Sequence, residues 1–200
     1  MKKILVVVDT QYDFMMPGGA LYVKGAEEII LPGIQFLGSL DPDEYQGVLF
    51  TYDTHYEATY YDMPESKAFP IHCIRGTPGH ANVFNPSLVS GDIAILDLVK
   101  GVFNMWEEEN ILIGNSGFGD TRPTNTWERD QFFKDLKDSG TEVVEVMGVA
   151  SDYCVKWAVD GFTKLGYKVK VLDKLCRGIG DQAAQVFAVP EYQDSVEVVA

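Results

Sequence analysis

The chain is short of basic residues, of histidine and cysteine, and of long apolar runs. Lys and Arg number 16 against 30 Asp and Glu, a formal net charge of −14. That deficit argues against nucleic acid or an anionic membrane as partner, since both are bound through clustered cationic side chains. No stretch approaches the length of a membrane span. The apolar run Ile4–Val8 is too short for a secretory leader and meets Asp9 at once. Three cysteines, Cys73, Cys154 and Cys176, are odd in number and far apart. They suit reduced thiols in a cytoplasm better than a disulfide framework. Histidine is as scarce, with only His55, His72 and His80. There is no repeat or linker, and 200 residues fit a single domain spanning 1–200.

What is present is an alternation of two patterns. Apolar, β-branched runs at Ile4–Val8, Val48–Tyr52, Ile93–Val99, Val143–Met147, Val169–Leu172 and Val196–Val199 read as strands. Between them, helices are expected over Ala26–Leu40, over Trp127–Lys137 with Thr126 as cap, into Leu165, and over Gln182–Val186. This predicts an α/β fold, a single-domain three-layer α/β/α sandwich with a mainly parallel sheet of about six strands. The loop from Tyr56 to Asn85 is long enough to suggest function. Within it His80 lies beside a turn and reads as a surface residue. The stretch Val102–Thr126 has no clear periodicity.

The stretch Thr141–Leu165 organises the chemistry. A buried strand meets the turn Gly148-Val149-Ala150, Ser151 and Asp152 can cap a helix, and Cys154 falls in its first turn. That position favours a thiolate, although a small buried apolar residue fits it too. Asp9, Asp53, Lys100 and the Cys154 turn all lie at carboxyl ends of expected strands, which face one side in a parallel sheet. Acyl transfer through a thioester needs such a set. Cys154 attacks a carbonyl, Asp9 moves the proton, Lys100 holds Asp9, and the Ala150 and Cys154 N–H groups form the oxyanion hole. No histidine is placed to act as the base, so a papain-type pair is excluded. Asp53 and His55 alternate by two, and His72 returns from the long loop. That is a carboxylate–imidazole set suited to Zn, Fe or Mn, although isolated matches of this kind are common.

The segments Val7–Phe14, Asp53-Thr54-His55, Phe69–Cys73 with Gly76-Thr77, Lys100-Gly101 and Gly148–Val155 together resemble the isochorismatase-like cysteine hydrolases. Within that family they are most similar to the nicotinamidases. The resemblance implies hydrolysis of nicotinamide to nicotinate and ammonia, with Asp9, Lys100 and Cys154 catalytic. It also implies one divalent transition metal ion, zinc first with iron or manganese as alternatives, holding the pyridine nitrogen. Phe14 and Phe69 fall where the family places aromatics around the ring, and a non-proline cis peptide is implied between Val149 and Ala150. Many nicotinamidases have a histidine where this chain has Tyr61. Glu65 has the spacing to His72 that glutamate-using relatives show, so the implied metal set is Asp53, His55, Glu65 and His72. The acidic segment 101–130 is longer than the family's loop and leaves pocket shaping or a homo-oligomer contact open. An amidase for another small amide, a small-molecule binder without turnover and a redox sensor built on Cys154 are the competing readings.

Overall fold

A computed structural model describes residues 2–115 and 125–200. In chain order the elements are β1 (Lys3–Val8), α1 (Tyr12–Met15), α2 (Ile30–Gly38), β2 (Tyr45–Asp53), α3 (Glu57–Tyr60), β3 (Ala94–Lys100), β4 (Leu112–Gly114) and β5 (Thr126–Glu128). They continue with α4 (Arg129–Asp138), β6 (Val143–Val149), α5 (Cys154–Lys164), β7 (Lys168–Arg177), α6 (Ala183–Val186) and β8 (Val196–Val199). The strands form one sheet in the order β5-β4-β3-β2-β1-β6-β7-β8. From β3 to β8 every pairing is parallel, and β4 and β5 add an antiparallel edge. The sheet therefore has eight strands rather than about six. The two additional strands are three residues each, too short to carry a readable alternation.

The central strand explains the layers. Ile4, Val6 and Val8 of β1 pack with Val155, Val159 and Phe162 of α5 and with Phe133 of α4. Leu5 and Val7 point the other way and pack with Leu37 of α2, Phe50 and Phe84. Both faces of β1 are thus covered, which is why its sequence is continuously apolar and does not alternate. Several expected boundaries move. Ala26–Ile29 is a 3₁₀ turn before α2, and Pro32 falls in the first turn of α2, where its missing N–H costs nothing. Thr126–Glu128 is strand, and Glu128 caps α4 by accepting the Gln131 N–H at 2.9 Å. Residues 116–124 of the acidic segment lie outside the described residues.

Strand register aligns the strand ends. Val8 pairs with Gly148 across β1 and β6, and Asp53 pairs with Lys100 across β2 and β3. Gly148 has φ of +121°, and a Cβ there would stand 2.1 Å from the Val8 carbonyl oxygen. Gly148→Ala should therefore cost at least about 3 kcal/mol, from backbone strain and a clash with main chain. Gly91→Ala, where a Cβ meets nothing within 4 Å, should change stability by less than about 0.5 kcal/mol. Urea unfolding midpoints of the two variants check the difference.

Candidate active site

The end of β3 carries Lys100 into a buried junction. Its Nζ lies 2.8 Å from Asp9 Oδ2, 3.4 Å from Asp53 Oδ1 and 3.7 Å from Cys154 Sγ. Asp9 and Asp53 are both fully buried. Asp9 sits in the left-handed region (φ 48°), which turns its side chain off the end of β1. Thr51 of β2 fixes it, accepting from the Asp9 N–H at 3.1 Å and donating to Oδ1 at 2.5 Å. Burial alone would push the Lys100 ammonium down, but Asp53 and Asp9 outweigh it and hold its pKa well above the ordinary value. For Asp53 burial works upward, yet Lys100 and the two neighbouring imidazoles keep the carboxyl well below its usual range.

Cys154 opens α5, but neither Ser151 nor Asp152 caps it. Tyr153 is the N-cap and makes no side-chain cap. Asp152 instead accepts three backbone N–H groups, from Ile179, Gly180 and Asp181, at 2.7–3.1 Å. It thereby ties the loop after β7 to the cysteine turn. The Val149–Ala150 peptide is cis. Placement at a helix start favours a thiolate, but burial pushes the Cys154 thiol up, with Lys100 pulling it down and Asp9 pushing it further up. Burial thus favours the protonated thiol, and a neighbouring carboxylate can take its proton.

The second cluster lies across Lys100. Asp53 Oδ2 stands 3.0 Å from both His55 Nε2 and His72 Nε2. Glu65 Oε1 lies 3.7 Å and 3.2 Å from the same nitrogens, without hydrogen-bond geometry to either. One donor atom from each of these buried residues falls within 4.8 Å of all the others. Two imidazoles and two carboxylates aimed at a common point fit a divalent transition metal, and the orphaned Glu65 oxygen is what an ion would satisfy. Burial lowers the imidazole pKa values, but Asp53 and Glu65 overcome it and raise His55 to about 9 and His72 to about 10. An ion must displace those protons.

Residues outside the expected set hold this geometry. The Gln11 amide brackets Asp53, accepting its N–H at 2.8 Å and donating to its carbonyl at 2.7 Å. Tyr60 packs edge-on to His55 at 4.9 Å and donates to the Phe69 and Pro70 carbonyls at 3.0 Å. His72 Nδ1 is held by the Pro70 carbonyl at 2.8 Å, leaving Nε2 to face the cluster. His80, expected at the surface, is buried and lies 2.8 Å from Thr54 Oγ1. The turn that suggested exposure is covered by the α1 segment, through Tyr12 N–H to the Ala81 carbonyl and Gln11 to the His80 carbonyl. The sequence signal for Thr51 was its i, i+2 relation to Asp53 on one strand. Gln11 had no such signal beyond its nearness to Asp9.

Phe14 lies beside His72 at 5.2 Å. Phe69 meets Phe103 at 5.3 Å and Tyr153 at 5.6 Å, in a cavity that Glu65 also lines. Phe103 belongs to the acidic segment. That segment is held by buried Arg129, whose Nη1 donates to the Met105 and Glu108 carbonyls and whose guanidinium lies 5.2 Å over the Trp106 ring. Glu108 in turn accepts the Gly101 N–H at 2.7 Å, next to Lys100.

No protein-family model matches the chain. It is 29% identical over 215 residues to a nicotinamidase of Saccharomyces cerevisiae, with 94% of each chain covered. It is also 29% identical to a nicotinamidase/pyrazinamidase of Mycobacterium tuberculosis, with 98% of each covered. Among solved structures, the pyrazinamidase of Pyrococcus horikoshii in complex with zinc superposes with a TM-score of 0.70 at 25% identity, covering 100% of this chain and 99% of that one. Among the described residues no helix is long and apolar enough to cross a membrane.

The cluster makes a definite forecast for metal binding. Glu65→Ala should weaken metal affinity roughly 10–100-fold or more, while Tyr61→Phe should leave it unchanged, because Tyr61 is 70% exposed. Because ion binding displaces imidazole protons, affinity should rise with pH up to the region of 9–10 set by His55 and His72. Chelator competition across pH measures both effects.

Proposed function

We infer that this chain, an isochorismatase-like hydrolase by fold and a relative of nicotinamidases along its length, is a metal-dependent nicotinamidase. It hydrolyses nicotinamide to nicotinate and ammonia as a single domain. One observation carries the reading: a single buried ammonium, Lys100 Nζ, lies 2.8 Å from Asp9 Oδ2 and 3.7 Å from Cys154 Sγ, beside a four-residue metal cluster. Asp53, His55, Glu65 and His72 would hold the ion, zinc by donor set with iron or manganese as alternatives, and it supplies a Lewis-acid anchor for a ring nitrogen.

The chain's own residues do the rest. Cys154 Sγ attacks the carboxamide carbon as its proton passes to Asp9. The Ala150 and Cys154 N–H groups receive the developing oxyanion at the start of α5, where backbone donors lack intrahelical partners. Asp9 gives the proton to the departing nitrogen, ammonia leaves, and a thioester remains. Water then attacks the thioester carbon, Asp9 takes its proton, and the acid leaves as Cys154 regains a proton. Lys100 holds Asp9 in place through its 2.8 Å ion pair and offsets the negative charge gathered around Cys154. Phe14 and Phe69 flank the bound ring.

Hydrolysis of a different small amide on the same machinery is the second reading, favoured by the pocket wall that the acidic segment contributes. Ammonia release from nicotinamide and a panel of small amides decides between them. Cys154→Ala should abolish turnover while metal content and fold persist, and activity within a few-fold of wild type would end the thioester mechanism. Asp9→Asn and Lys100→Ala should each lower kcat by roughly 10²–10⁴. The double variant should lose little more than the worse single one, because the residues act as a unit. Steady-state kinetics on the three variants test this.

A further inference from the structure

The cavity over the site is larger than a one-ring amide needs. It encloses about 520 Å³, in the range that takes ligands of drug size. Four half-buried rings wall it: Phe69, Phe103, Tyr153 and Trp157. Tyr153 and Trp157 are one helical turn apart at the start of α5, with ring centroids 5.8 Å apart. Trp157 stands three residues beyond Cys154, about 4.5 Å farther along the helix axis. Trp157 is thus set back from Cys154 along the cavity wall that both it and Tyr153 line.

Trp157 has an aromatic partner in that wall. Its ring lies 5.7 Å from Phe103 with the planes 31° apart, while the contacts of Phe69 with Phe103 and Tyr153 are edge-on, at 81° and 86°. The four rings thus form one continuous aromatic wall, in which Phe103 and Trp157 are the pair closest to parallel. Glu65 of the metal cluster lines the same cavity, so the aromatic wall and that cluster are continuous. Phe103 stays in place because Arg129 and Glu108 clamp the segment that carries it. Half-covered rings around a concavity gain most from a flat apolar ligand, which removes surface from water and makes offset-stacked contacts.

We propose that Phe103 and Trp157 form an outer subsite for a second aromatic ring, so that the chain hydrolyses aromatic carboxamides bearing an aryl substituent. This rests on the amide-hydrolase reading above. The reaction is unchanged: the C–N bond of the carboxamide breaks, water supplies the new oxygen, ammonia leaves, and the second ring stays intact.

The test compares nicotinamide with a nicotinamide carrying a phenyl group on the ring edge opposite both the nitrogen and the carboxamide. Ammonia release is measured for both in wild type, Trp157→Ala and Trp157→Phe, and calorimetric binding of both in the same three proteins. Wild type should process the phenyl amide at least as well as nicotinamide. Trp157→Ala should lower the ratio of phenyl-amide to nicotinamide kcat/KM roughly 10-fold, through KM rather than kcat. Trp157→Phe, which retains a ring, should restore most of it. The proposal is overturned if wild type turns over nicotinamide but neither binds nor hydrolyses the phenyl amide, or if Trp157→Ala lowers both amides equally. If neither amide is hydrolysed but the phenyl amide binds more tightly, and Trp157→Ala removes that advantage, the subsite stands and the hydrolase reading falls.

Discussion

One buried ammonium ties the site together. Lys100 is 2% exposed and stands between Asp9, Asp53 and Cys154. Without it, two carboxylates would be buried side by side with no cation between them, an arrangement that proteins avoid by protonating one or by unfolding locally. With it, the Asp9–Cys154 group and the Asp53–His55–Glu65–His72 group become one electrostatic unit, since Asp53 faces Lys100 through Oδ1 and both imidazoles through Oδ2. A change at either cluster is therefore felt at the other.

Such a unit needs rigid backbone support, and the sheet supplies it. Asp53 and Lys100 are register partners on adjacent strands, so their spacing is set by main-chain hydrogen bonds rather than by loops. Gln11 extends that ladder beyond the strand ends, its amide acting like one more peptide unit against Asp53. Thr51 does the same for Asp9. Each of these side chains is fully or nearly fully buried, and each polar group has a partner whose loss would leave a costly orphan.

The acidic segment after Lys100 changes character once folded. Among its described residues Glu107 and Glu109 are exposed, but Glu108 turns inward to hold Gly101, and Arg129 crosses from α4 to bind two of its carbonyls. The segment is thereby fastened at the residue after Lys100 and at the turn below Phe103. Trp106 packs on Phe162 at 5.2 Å and against Gly161, where a Cβ would stand 2.0 Å from the indole. The pocket wall is thus anchored on the same helix that presents Cys154.

How much of this was legible follows from the range of the interactions. Continuous apolar runs such as Ile4–Val8 reported a strand buried on both faces, because burial acts on every residue in turn. Polar residues closing those runs reported a site at one edge of a parallel sheet, since chain direction alone puts Asp9, Asp53, Lys100 and Cys154 on the same side. The Asp53–His55 alternation reported a shared face for the same local reason. The antiparallel edge formed by β4 and β5, the burial of His80 under the α1 segment, and the outer pairing of Phe103 with Trp157 left no periodic trace. Each depends on segments that meet only after the sheet has closed. The Cys154 thiol is the sharpest case: a helix start by itself lowers a thiol pKa, while burial in the packed surroundings pushes it up.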